Sequence, residues 1–193
     1  MLQSAVTGSQ QTRPNKIANW TDEPIVSPVS VSALASFLAV DGEDELLEML
    51  LDAATEAVIA YTNVQVIERT WHWKADRYPE RMPAMTGVAA NGALPEWWIT
   101  LPAWPANEIT TVSAEDFTFD KHTNRLWVTR PTYPLEVEYR AGYVDAPPVF
   151  KQAILMLAAY LYEHRGECDA AMAGEHSGAF GMLKAHKRIA GGL

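Results

Sequence analysis

The 193-residue sequence has a single cysteine, Cys168, and no long apolar run. One cysteine excludes an internal disulfide framework and any cysteine-based zinc cluster. No stretch approaches the ~18 apolar residues that cross a bilayer, and residues 1–14 form a polar segment without the apolar centre of a signal peptide. These absences predict a protein made in the cytoplasm, with no membrane partner.

Basic residues are also scarce, because 15 Lys and Arg stand against 24 Asp and Glu, for a net charge of -9. Proteins that grip nucleic acid over their whole surface neutralise phosphates with cations, so this charge argues against that class. No Lys or Arg lies between residues 17 and 68, whereas Lys184, Lys187 and Arg188 follow the last acid of the chain. The acidic stretch and the basic C-terminal residues are either solvated faces, or they indicate that one end of the chain contacts an acidic surface such as that of another copy.

Catalytic motifs are missing as well. Neither G-x-G-x-x-G nor G-x-x-x-x-G-K-[ST] occurs. His164 and Cys168 are too few for a zinc site, and His164 fits a helix-end histidine that contacts terminal carbonyls. The acids of residues 41–45 open a helix, since a calcium loop needs its glycine in sixth place and not in second. We therefore predict no catalytic residue, no metal, no cofactor and no enzymatic activity.

The residues that are present form an ordinary globular composition, 48% hydrophobic and 10% aromatic. Apolar residues spaced by three and four predict helices at about 31–39, 43–62 and 147–165. Apolar and polar residues alternate in short runs between 64 and 140, which predicts strands. Helices, then strands, then a helix indicate an α+β fold. The predicted core comprises Leu47, Leu50, Leu51, Val58, Ile154, Leu157 and Leu161.

Two kinds of surface segment accompany this core. The second predicted helix carries an acidic outer face made of Glu45, Glu48, Asp52 and Glu56. The terminal segments, residues 1–27 and 167–193, flank a central domain at 28–166. Both are expected to be mobile in the free subunit and to become ordered only on neighbouring proteins.

Six tryptophans lie in or beside the predicted strands, at positions 71, 73, 97, 98, 104 and 127. Such rings stack on bases or sugars in some proteins, but without interleaved cations they more often fill a core or an interface. A β-rich module that binds a carbohydrate or peptide is therefore the alternative function, and a concave aromatic patch would favour it.

The order of several short segments resembles the head-tail connector (adaptor) proteins of long-tailed phages and phage-derived gene transfer agents. These segments are residues 28–30 (PVS), 38–41 (LAVD), 46–47 (LL), 60–62 (AYT), 70–71 (TW), 99–102 (ITLP), 137–143 (VEYRAGY), 151–155 (KQAIL) and 162–165 (YEHR). Each is ordinary patterning, and the resemblance depends on their shared order and spacing over about residues 28–166.

The resemblance implies a small helical bundle with a β-rich insertion and extended terminal arms. It implies a virion protein that forms a ring, typically of twelve copies, between the portal of the DNA-filled head and the tail-side connector or tail terminator. Double-stranded DNA passes through such a ring passively. The acidic face is then expected at the channel or a subunit interface, and Lys184, Lys187 and Arg188 in an arm that docks on the portal or a neighbour. The 1–27 extension and the long 76–96 loop depart from the family pattern.

Overall fold

The computed structural model describes residues 17–42, 44–76, 97–131, 134–164 and 170–188. Within them the chain is an α+β fold, as the sequence predicts. The helices are α1 (Val31–Leu38), α2 (Asp44–Thr62), α3 (Pro148–Glu163), α4 (Ala170–His176) and α5 (Ala179–Leu183), followed by a 3₁₀ turn (Lys184–His186). The strands are β1 (Ile17–Trp20), β2 (Arg69–Ala75), β3 (Trp97–Thr100), β4 (Ala106–Val112), β5 (Ala114–Asp120), β6 (Arg125–Pro131) and β7 (Leu135–Ala141).

Local sequence signals explain the helix boundaries. The Ser30 hydroxyl accepts a hydrogen bond from the Ala33 amide at 3.2 Å, which caps α1. Asp44 and Glu45 occupy the first turn of α2, where the helix dipole favours negative charge. Pro148 begins α3, at a position where a missing N–H costs nothing. The three predicted helices therefore lie within about two residues of their expected bounds, and residues 43 and 165–169 lie outside the described part.

The helices pack around one apolar cluster. Leu47, Leu51 and Val58 of α2 and Ile154 and Leu157 of α3 are almost completely buried. Two further leucines of the predicted core, Leu50 and Leu161, are only partly buried and pack against this cluster. The centre of the helical part is thus the contact between α2 and α3.

The strands form two antiparallel sheets, in the orders β1-β2-β7-β4 and β3-β6-β5. Along the described strands, the chain changes sheet between β2 and β3, β3 and β4, β4 and β5, and β6 and β7. The change between β4 and β5 falls at Ser113, whose amide donates to the Glu136 carbonyl at 2.9 Å. Both sheets contribute to one apolar cluster that includes Trp73, Leu126, Val137 and Tyr139. The β part is therefore a small two-sheet unit with its own core.

The β part joins the helical part through neighbouring segments. The Glu68 amide donates to the Tyr143 carbonyl at 2.9 Å, so the chain leaves the helices and returns to them side by side. Gly142 has a φ of +120°, and a Cβ there would lie 1.9 Å from the Ile67 carbonyl oxygen. Only glycine fits this junction.

The sequence predicts that the C-terminal segment is an extended, mobile arm. This prediction is wrong for residues 170–188, which pack on the helical part. Ala173, Ala179 and Leu183 are fully buried in the helical core. Phe180 stacks on Tyr61 of α2, with 4.1 Å between ring centres. Small residues let α4 and α5 approach the bundle closely, and the large side chains of Phe180 and Leu183 bury enough apolar surface to hold them there.

The N-terminal segment also makes contacts within its own chain. Residues 17–20 form β1 and pair with β2. The Thr55 hydroxyl of α2 donates to the Ser27 hydroxyl at 3.1 Å. The expectation that this segment orders only on partners is therefore wrong for residues 17–20, because backbone hydrogen bonds to an existing sheet edge hold even a strand of four residues. Residues 1–16, and positions 77–96 of the long loop, lie outside the described residues.

Candidate interaction surfaces

The acidic face of α2 is formed by Glu45, Glu48, Asp52 and Glu56. Their spacing of three and four residues places them on one side of the helix. Asp52 is half-buried and the other three are exposed. None of the four has an ion pair or side-chain hydrogen bond to another described residue. Met49 lies among them with 70% of its surface exposed, so the face also offers apolar area to a partner.

The basic C-terminal residues do not form one free surface. The Lys187 ammonium lies 4.5 Å from the centre of the Tyr61 ring, and the Arg188 guanidinium carbon lies 3.4 Å from that of Trp104. The Arg188 amide also donates to the Thr62 carbonyl at 2.8 Å. These two cations therefore sit at the C-terminal end of α2, where they complement the helix dipole. Burial lowers the pKa of Arg188. Lys184 is exposed, without an ion pair to any described residue.

A groove of about 210 Å³ crosses the outer face of the first sheet. One row of paired residues runs through it, from Trp20 in β1 to His72 in β2, Glu138 in β7 and Thr111 in β4. Trp20 is 40% exposed and stacks on His72, with 5.5 Å between ring centres. The groove thus presents one large aromatic ring at its edge.

Only some of the charged side chains in this groove have a partner. Lys74 and Glu136 form an ion pair at 2.5 Å, and this hydrogen bond raises the pKa of Lys74. The Glu138 carboxylate has no hydrogen bond or ion pair to any described residue. The sequence does not reveal this site, because Trp20 lies in a mostly polar N-terminal segment and a strand of four residues is too short to show alternation.

A rigid turn links β5 and β6 at the end of the second sheet. One oxygen of the Asp120 carboxylate accepts a hydrogen bond from the His122 amide at 2.9 Å, and the other from the Thr123 hydroxyl at 2.7 Å. These bonds lower the pKa of Asp120. Asn124 adopts a φ of +60°, and its buried amide donates to the Leu101 carbonyl at 2.7 Å. The turn presents exposed Lys121 and His122 in a fixed conformation.

The six tryptophans considered above as binding residues serve mainly in packing, as far as the structure describes them. Trp73 is buried, Trp71 packs against the sheet core and Trp104 is covered by Arg188. Trp98 lies under the guanidinium of Arg125, 4.5 Å from ring centre to carbon. Trp127 is half-buried, and the Trp97 side chain lies outside the described part. The structure therefore places the exposed aromatic ring of the groove at a position the sequence did not single out.

Two features bear on catalysis and membranes. His164 ends α3 with its Nδ1 atom 3.0 Å from the Tyr160 carbonyl oxygen, the helix-end contact expected of it; Cys168 lies outside the described residues. In the described part of the chain, no three His, Cys, Asp or Glu side chains are grouped to hold a metal ion. Among the same residues, no helix has the length and apolar character needed to cross a membrane.

Comparison with known proteins finds similarity in structure alone. No protein-family profile and no curated protein matches the sequence. A chain from the neck of an empty gene transfer agent (GTA) particle, computed with C6 symmetry, aligns with a TM-score of 0.62 and 21% identity over 92% of this chain and 98% of that one. A chain from the virion of a native GTA particle aligns with a TM-score of 0.66 and 20% identity, over 90% and 98%.

A third chain, from the neck of a native GTA particle computed with C12 symmetry, aligns with a TM-score of 0.58 and 22% identity, over 90% of this chain and 98% of that one. The fold is therefore that of proteins found in the neck and virion of gene transfer agents. The resemblance seen in the sequence is confirmed at the level of the fold.

Proposed function

We propose that this protein is a structural, non-enzymatic subunit of the neck of a phage-like particle. In this proposal, copies form a ring, of twelve subunits by analogy, that joins the portal to the tail-side connector or tail terminator and surrounds the DNA exit channel. The observation that carries the proposal is the fold shared with neck chains over nine tenths of this chain and nearly all of theirs.

The charge distribution supports a role beside DNA that does not bind it tightly. An acidic surface repels phosphate, so a duplex slides past it, whereas a basic lining would hold the duplex. The acidic face of α2 has the charge that such a lining requires. The acidic face could instead lie at a contact between subunits, because exposed Met49 adds apolar surface to it.

Ring closure requires two different complementary surfaces on each subunit. The acidic face supplies one sign of charge. Among the basic residues, exposed Lys184 is the candidate for docking on the portal or a neighbour, since Lys187 and Arg188 are engaged within the subunit.

The native mass of the purified chain, alone and mixed with its candidate portal protein, tests this proposal. We expect a closed oligomer of defined mass, and a ring with a central opening in electron micrographs. A chain that stays monomeric in both mixtures and is absent from purified particles would contradict the proposal.

A binding module for carbohydrates or peptides is the second candidate, and the groove beside Trp20 is the observation that favours it. A sugar ring stacks on an exposed tryptophan, and carboxylates accept hydrogen bonds from its hydroxyl groups. Titration of the chain with a panel of oligosaccharides, followed by tryptophan fluorescence, tests this function. Saturable binding that is lost in Trp20→Ala would support it.

A further inference from the structure

The groove on the first sheet and the turn at the end of the second sheet carry complementary charges. The groove is lined by Trp20, Glu138, and the Lys74–Glu136 pair. The turn presents Lys121 beside His122, both exposed. We propose that the β5–β6 turn of one copy inserts Lys121 into the groove of the next copy, an inference that rests on the proposed ring.

The chemistry of the groove suits a lysine side chain. A lysine ammonium placed over a tryptophan ring is attracted by the negative face of the ring, and tryptophan is the strongest aromatic partner for this contact. Trp20 offers an exposed ring at the edge of the groove. Glu138 lies two strands away from Trp20, on the far side of His72, and its carboxylate has no partner among the described residues. A cation in the groove therefore has both an aromatic and an ionic partner.

The turn is built to fill such a groove at low entropic cost. Asp120 fixes its start through two hydrogen bonds, and Asn124 fixes its end through a buried amide. The Asn124 side-chain oxygen also accepts a hydrogen bond from the Ala106 amide at 2.7 Å, which ties the turn to β4. A loop that is already rigid loses little conformational freedom on binding.

A second copy fits the observations better than an unrelated partner. The contact joins two different surfaces of the same chain, and repeated contacts of this kind close into a ring when the rotation between copies allows it. The groove and the turn lie on different sheets of the β part, so neighbouring β parts would contact each other side by side around the ring.

Reciprocal charge reversal tests this contact. We would measure native mass for full-length Glu138→Lys, Lys121→Glu and the variant carrying both changes. Each single variant is expected to weaken association at least about tenfold, as close interfacial charge pairs do. The double variant is expected to recover association, because the reversed charges meet again across the contact. Glu163→Lys, an exposed charge on α3, is the matched control and should assemble normally.

The outcomes separate this contact from the proposed function. Glu138→Gln keeps the shape of the side chain and provides a second measurement if the lysine variant fails to fold; it too should weaken association. A wild-type ring that tolerates all the single variants, or a double variant no better than the weaker single one, overturns the contact alone. A wild-type chain that never forms oligomers, with or without the portal, overturns the contact together with the proposed function.

Discussion

The central carbon of the Arg188 guanidinium lies over the ring of Trp104, 3.4 Å from the ring centre. Trp104 lies between β3 and β4, and the Arg188 amide is hydrogen-bonded to Thr62 at the end of α2. The last described residue therefore bridges the helical part and the β part. The basic C-terminal residues thus have a role within the subunit before any partner is present.

Arg188→Ala should lower the free energy of unfolding by about 1 kcal/mol, because a partly desolvated cation–π contact is lost while the backbone hydrogen bond remains. Urea unfolding measures this loss. Lys184→Ala is the control: Lys184 is exposed and should change stability by less than about 0.5 kcal/mol. Equal stability of both variants and wild type would show that the bridge contributes nothing.

Leu157→Ala should destabilise the protein by roughly 2 to 5 kcal/mol, since Leu157 is fully buried between the helices and its truncation leaves a cavity. Leu161→Ala removes the same atoms from a partly buried position and should cost clearly less. Thermal and urea unfolding of the pair provide the measurement. A larger loss in Leu161→Ala would mean that the centre of the core lies elsewhere.

The C-terminal helices offer a matched pair of glycines. A Cβ at Gly174 would lie 2.3 Å from the Phe180 ring, whereas one at Gly181 meets nothing within 4 Å. Gly174→Ala should therefore displace Phe180 from Tyr61 and destabilise by roughly 1 to 3 kcal/mol. Gly181→Ala should be neutral or stabilise by up to about 1 kcal/mol, because alanine favours the helix. Melting temperatures of the two variants decide between these results, and similar values would contradict the described packing.

Stability should fall at alkaline pH through Tyr139. Its hydroxyl donates to the Asn19 side-chain oxygen at 2.9 Å and accepts a hydrogen bond from the Ala103 amide at 3.2 Å. Burial raises the pKa of this phenol in the folded state. The unfolded chain loses the proton near pH 10 while the folded chain keeps it, so the contribution of Tyr139 is complete below about pH 10 and is lost as the pH rises above it.

Tyr139→Phe isolates this effect. At pH 8 the variant should be less stable by about 1 to 3 kcal/mol, because the Ala103 amide loses its partner. The difference from wild type should shrink between pH 10 and pH 11. Urea unfolding across this range is the measurement. A difference that stays constant with pH would show that the phenol titrates alike in both states.

Charge reversal on the acidic face of α2 tests its proposed place in the particle. Replacing Glu48, Asp52 and Glu56 by lysine should leave the monomer folded, since Glu48 and Glu56 are exposed, Asp52 is only half-buried, and none of them has a partner among the described residues. It should impair particle completion or DNA release, because a basic surface holds phosphate. Titre and circular dichroism are measured together, with Glu163→Lys as a control for added charge. Normal titre with the triple variant would remove the proposed role.

The sequence predicts the elements with strong local signals. The cap at Ser30, the acids that open α2 and the proline that opens α3 set boundaries that depend on a few neighbouring residues. The same local logic fails for α4 and α5, whose alanines and glycines carry little apolar signal until Phe180 and Leu183 meet α2 and α3. Deleting residues 182–193 should consequently unfold part of the bundle, and not simply free a docking arm.

The interaction surfaces were harder to predict because they depend on pairing between distant segments. The acidic face is visible in the sequence, since helical spacing alone assembles it. The groove requires β1 to pair with β2 and β2 with β7, which brings Trp20 into the same row as Glu138 from more than a hundred positions away. No local pattern carries that information.

The path of the backbone has a mechanical consequence. Within the described residues, the chain passes between the β part and the helical part three times: from β1 to α1, from α2 to β2, and from β7 to α3. A force that pulls the two parts away from each other is therefore shared by three covalent segments and by the cation–π contact between Arg188 and Trp104. Resistance to such a force is governed by the unfolding rate and not by equilibrium stability alone. A subunit whose two parts are joined by three chain segments bears tension without depending on any single non-covalent contact.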